Sequence, residues 1–143
     1  MDPAQAMYDA VKEVPGRPPS WLGFWFLASP YSKYPHGLEA AFRLACRHRG
    51  LLVKAGIQVF SPIVHSHSVA VECGIDPHDH AIWLPAETPM RLAATGIILL
   101  RAESWESSVG MAIEHAEFRD AGKPVVFMDP DVLPALPRLG ALA

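Results

Sequence analysis

The stretch GIILLRAESWESSVGMAIEHAEFRDAGKPVVFM (96–128) decides the fold class. It opens with five apolar residues in a row, the pattern of a strand buried on both faces. Val109, Ala112, Ile113 and Ala116 then recur at i, i+3, i+4 and i+7, which predicts a helix over 108–121 with those four residues packed on the sheet. Ser107 or Ser108 stands at its N-cap and Gly122 closes it. PVVFM (124–128) is apolar throughout again, and Pro130 ends it. Strand, helix and strand in this order form a parallel crossover unit.

The same alternation extends toward the N-terminus. WLGFWFLA (21–28) is an aromatic-rich apolar run that stops at Ser29-Pro30 and reads as a buried strand. Leu38, Ala41, Phe42 and Ala45 begin a helix whose other face carries Arg43, Arg47 and Lys54, with Gly56 closing it. IQVF (57–60) is a short strand stopped by Ser61-Pro62, and 63–77 reads as a loop. Asp76-Pro77 marks a helix start, with Pro77 at the first helical position. HDHAIWL (78–84) would be that helix, limited by Pro85, and 87–94 a further turn or two. The expected architecture is α/β: a small doubly wound, Rossmann- or flavodoxin-like parallel sheet flanked by helices. Residues 1–20 read as an arm, 21–130 as the domain and 131–143 as a tail.

Composition narrows the function. Of 143 residues, 50% are hydrophobic and 19% charged, a globular balance. The net charge of −3 and the lack of a basic run argue against nucleic acid as a main partner. No stretch of about 18 apolar residues offers a membrane span. The first 20 residues have no apolar core of a signal peptide. Cys46 and Cys73 make no disulfide framework, so a cytoplasmic location is expected.

Ligands of such sheets bind beyond the carboxyl ends of the strands. Glu114 follows Gly110 by four and Ser107 by seven, so the three share a helix face at that edge. Gly110 lets a ligand approach the backbone, and the helix N-terminus at Ser108 suits an anion such as phosphate. Tyr31 and Trp105 fall in strand-end loops and could stack on a base. His65, His67, His78 and His80 lie close in sequence beside Asp79. They read either as hydrogen-bonding loop residues, with Asp79 an acid, or as a zinc site. The spacing matches no zinc motif, and neither metal nor cofactor is expected.

FLASPYSKYP (26–35), VFSPI (59–63), SSVGMAIE (107–114) and AGKPVVFMDP (121–130) resemble the nucleoside 2-deoxyribosyltransferase-like superfamily, which includes 2′-deoxynucleoside 5′-phosphate N-hydrolases. The resemblance covers roughly 22–130. It implies a Rossmann-like fold, a homodimer or higher oligomer, and cleavage of the N-glycosidic bond of a nucleoside or nucleoside 5′-monophosphate. Glu114 matches the nucleophile, Gly110 the glycine that opens the pocket, Ser108 a phosphate-binding serine and Ser29 a small pocket residue. Asp79 matches an aspartate on the base side, and Arg101 could help hold phosphate. Where many members carry an acidic residue before the third strand, this chain has Thr95, so Asp79 would protonate the base alone or turnover would be lost. Two other readings stand beside this one: a non-catalytic nucleotide-binding module, and a metal-dependent hydrolase built on the histidine loop.

Overall fold

The structure is a computed structural model that describes residues 2–6 and 23–137. Most of the arm expected over 1–20, and 138–143 of the tail, lie outside the described residues. Four strands, β1 (Trp25–Ala28), β2 (Val59–Phe60), β3 (Gly96–Leu100) and β4 (Val125–Met128), form one sheet in the order β2-β1-β3-β4. Every pairing is parallel. Helices α1 (Leu38–Lys54), α2 (Pro62–Cys73), α3 (His80–Ala93) and α4 (Val109–Asp120) connect and flank it, with a short 3-10 turn at Trp105–Ser107.

Alternation along the central strands builds two core layers. Trp25, Leu27, Ile98 and Leu100 face one side and pack with Leu44 and Leu52 of α1. Phe26, Ala28, Ile97 and Leu99 face the other and pack with Met111 and Phe118 of α4. Each large side chain so buried contributes about 1.5–3 kcal/mol. The chain leaves β1 toward β2 and later leaves β3 toward β4, in opposite directions. The order therefore reverses between β1 and β3, and a crevice opens past their carboxyl ends.

Gly96 sets how closely β3 approaches its neighbours. A Cβ there would lie 2.5 Å from Trp25 Cζ3 and 2.7 Å from the Pro124 carbonyl oxygen. The second contact is backbone and cannot swing away. Gly96→Ala is expected to destabilise the fold by about 2 kcal/mol or more, read as a lower urea midpoint at unchanged slope. On the far side, buried His48 donates from Nδ1 to the Leu44 carbonyl (2.8 Å) and accepts the Asp131 N–H at Nε2 (3.0 Å), which fastens the tail segment to α1.

Three elements depart from the sequence expectation. Residues 62–73 are a helix, not a loop. Ser61 Oγ accepts from the Val64 N–H (3.2 Å), Pro62 occupies the first turn and Gly74 closes the helix at φ 67. Its buried face carries Pro62, Ser66, His67 and Ala70 while Val69 and Val71 are exposed, so an apolar period could not reveal it. Helix α3 starts after Asp79 rather than at Pro77, and it continues through Pro85 and Pro89. A mid-helix proline costs about 3 kcal/mol. Burial of Trp83 and the hydrogen bonds of Arg91 to Glu117, Thr88 and the Leu84 carbonyl offset that cost. Helix α4 is rotated from expectation. Its buried residues are Met111 and Phe118, while Val109 and Ile113 are 56% and 38% exposed and Ala112 is exposed too. Among the described residues, no helix is long and apolar enough to cross a membrane.

Candidate active site

The crevice past β1 and β3 encloses a cleft of about 360 Å³, in the range of small-molecule sites. The loop after β1 supplies Ser29 and Tyr31, the start of α2 supplies Pro62 and Ser66, α3 supplies Trp83, Glu87 and Arg91, and α4 supplies Ser108, Gly110 and Glu114. Two carboxylates therefore face one apolar-walled space.

Glu114 lies on the inward face of α4, between Met111 and Phe118 at i−3 and i+4. Ser108 caps this helix, its Oγ accepting from the Met111 N–H (3.3 Å). A Cβ on Gly110 would sit 3.7 Å from Glu114 Oε1, an ordinary van der Waals contact, so Gly110 lies directly beside the carboxylate. Glu114 Oε2 is shut off from solvent and has no hydrogen-bond partner among the described residues. Leaving a polar atom so costs about 1–3 kcal/mol or more, a cost that functional sites carry and ordinary cores avoid. Burial raises the Glu114 carboxyl to about 8, and the charge on Glu87 adds to the rise; Arg91 opposes it and Glu117 adds to it.

Glu87 is 8% exposed on the inner face of α3. Burial lifts it to about 7, against the pull of Arg91. Arg91 is itself buried and committed elsewhere. Its Nε donates to Glu117 Oε2 (2.7 Å), and Nη2 donates to Thr88 Oγ1 (2.9 Å) and the Leu84 carbonyl (3.3 Å). Its charge moderates the two carboxylates without pairing off either. A buried acid whose affinity for a proton is raised further by a second carboxylate is a hallmark of acid–base sites.

The other expected residues divide. Ser29 lines the cleft, buried, with its Oγ unpartnered among the described residues. Tyr31 lines it too, with Oη 2.6 Å from His67 Nδ1. Asp79 does not line it; its carboxylate accepts from the Ala81 N–H (3.1 Å) as the N-cap of α3. Trp105 lines a separate hollow and meets Phe127 edge-on at 6.0 Å. Arg101 is held by Asp129 (2.9 Å), outside the cleft. Thr95 precedes β3 at the amino edge of the sheet, where its N–H donates to the Phe24 carbonyl (2.8 Å). Its lack of a carboxylate therefore does not bear on the cleft.

The four histidines also separate. His67 is buried and stacks on Phe42, His65 lies against Phe60, and His78 and His80 both line the cleft, with His78 Nδ1 3.0 Å from Ser32 Oγ. Among the described residues, no three His, Cys, Asp or Glu side chains converge as a metal site would require. The residue that sequence reasoning missed is Glu87. Trp83, Glu87 and Arg91 mark one helix face by their spacing, but Pro85 and Pro89 made that segment read as fragments.

A family model described as a domain of unknown function, DUF1937, matches residues 23–130. The chain belongs to the DUF1937 family. No curated protein matches the sequence. The DUF1937 match spans all four strands and every cleft residue named above.

Proposed function

We propose that this DUF1937 protein cleaves the N-glycosidic bond of a nucleoside or nucleoside 5′-monophosphate, with Glu114 as nucleophile and Glu87 as acid. The observation that carries the reading is the pair of buried carboxylates facing one cleft. The likeness of SSVGMAIE (107–114) to the deoxyribosyltransferase-like pattern supports the same role for Glu114.

The chemistry follows from the proton inventory. Between about 7 and about 8 the two groups together hold one proton. In the empty cleft that proton favours Glu114. Positive charge growing on the sugar beside Glu114 favours its ionised form and leaves the proton for Glu87. Glu114 then bonds to the anomeric carbon as the carbon–nitrogen bond breaks, and Glu87 protonates the leaving base. Water attacking the glycosyl ester returns a proton to Glu87 and frees Glu114, as in a retaining glycosidase. A second base in place of water would make the reaction a transfer. The uncapped N–H groups of the first turn of α4 offer a place for a 5′-phosphate, although the carboxylates below favour a ligand of low total charge.

The test is incubation with a panel of ribo- and deoxyribonucleosides and their monophosphates, with free base measured by chromatography. Release from at least one member is expected, with kcat/KM peaking between about pH 7 and about pH 8. Saturable binding with no release from any member would instead make the protein a nucleotide-binding module.

A further inference from the structure

A chain of hydrogen bonds runs from the cleft wall to the surface. Tyr31 lies 8% exposed in the wall, with Oη 2.6 Å from His67 Nδ1. His67 is 5% exposed, and its Nε2 lies 3.1 Å from Glu39 Oε2. Glu39 is at the surface and also accepts from Arg43 Nε (3.2 Å). The chain is built from three elements: the loop after β1, helix α2 and helix α1. Phe42 stacks on the imidazole at 4.7 Å with the planes 20° apart, which restrains the ring from turning.

The donor and acceptor count along this chain has one solution when His67 is neutral. Hydrogen bonds from His67 and Arg43 hold Glu39 below the usual carboxylate range, so it is ionised and only accepts. His67 Nε2 must therefore carry the hydrogen. Nδ1 is left as an acceptor, and the Tyr31 hydroxyl donates to it. That uses the single phenol hydrogen. Burial and the Glu39 charge push the Tyr31 phenol above its ordinary value, so it keeps that hydrogen through neutral pH.

We propose that Glu39 and His67 are positioning residues that fix the Tyr31 hydroxyl as a hydrogen-bond acceptor toward the cleft, so that the site selects a sugar bearing a hydroxyl that can donate to it. The sugar rests on the glycosidase reading; the fixed acceptor rests on the hydrogen-bond chain alone. The device has a reverse state. A protonated His67 donates from both nitrogens, and Tyr31 then turns its own O–H into the cleft. Among the described residues the titratable groups hydrogen-bonded to the imidazole are Tyr31 and Glu39, and Glu39 also accepts from Arg43. His78 meets Tyr31 edge-on at 6.2 Å.

Nitrogen-15 NMR of the imidazoles in the full chain reads the wiring directly, with His67 assigned by loss of its signal in His67→Gln. Wild type should show the Nε2–H tautomer at neutral pH, and Glu39→Gln, whose amide can also donate, should admit the Nδ1–H form. Calorimetry of nucleosides against analogues lacking one sugar hydroxyl reads the selection. One analogue should bind wild type about tenfold more weakly than its parent. Tyr31→Phe should erase that ratio by weakening the parent alone. An Nδ1–H tautomer in wild type, or equal weakening of all ligands by Tyr31→Phe, would overturn the proposal. Absence of binding by every nucleoside would end the glycosidase reading of the cleft, and the tautomer would then decide the chain by itself.

Discussion

Glu114→Gln should lower base release by at least about 10³-fold, because an amide neither bonds to an anomeric carbon nor balances an oxocarbenium charge. The substitution keeps shape and volume, so the fold should persist. It should also raise stability at alkaline pH, since the buried carboxyl that resists ionisation is gone. Loss of activity with gain of stability separates a catalytic group from a structural one. A structural glutamate would lose both together. Glu87→Gln should slow the first step most for bases that leave poorly and least for bases that leave unaided, because its contribution is the proton.

The second large effect is on stability against pH. The ordinary carboxyl value of 4.5 rises in the folded protein to about 7 for Glu87 and about 8 for Glu114. Between those limits the unfolded chain has released protons that the folded chain keeps. The folded state binds more protons, so stability falls as pH rises and levels off above about 8. This is opposite in sign to a salt-bridged acid. From about pH 6.5 to about pH 8.5 the loss should amount to roughly 2–3 kcal/mol, or about 5–10 °C in Tm. Thermal melts across that range check it, and the double variant Glu87→Gln/Glu114→Gln should flatten the slope. A slope unchanged in the double variant would show that neither carboxyl resists ionisation.

The sheet was legible because its strands are short, apolar and punctuated. GIILL (96–100) forms β3 to the residue, and each of the other three strands lies inside the run that announced it. The helices were legible only where their buried face is apolar. Helix α2 escaped because Ser66 and His67 occupy its inner face, and α3 was cut short at its prolines. The same cause hid part of the site. In α4 the apolar residues Val109 and Ile113 are exposed along the cleft rather than packed on the sheet, and Glu114 lies between the buried Met111 and Phe118. Glu114 was found by its spacing from Gly110, yet the face assigned to the sheet was the wrong one. Asp79 attracted the acid role by standing among histidines, whereas it caps a helix and Glu87, two turns further on, reaches the cleft. Polar residues on buried helix faces defeat pattern reading, and those faces are where this protein places its candidate chemistry.

Glu114 as nucleophile is tested by intact-protein mass spectrometry after rapid quench with a nucleoside fluorinated at the sugar 2′ position, which slows hydrolysis of a glycosyl ester. A mass gain equal to the sugar without its base is expected, mapping to the peptide that contains Glu114 and absent from Glu114→Gln. Base release with no adduct on that peptide, or an adduct elsewhere, would contradict it.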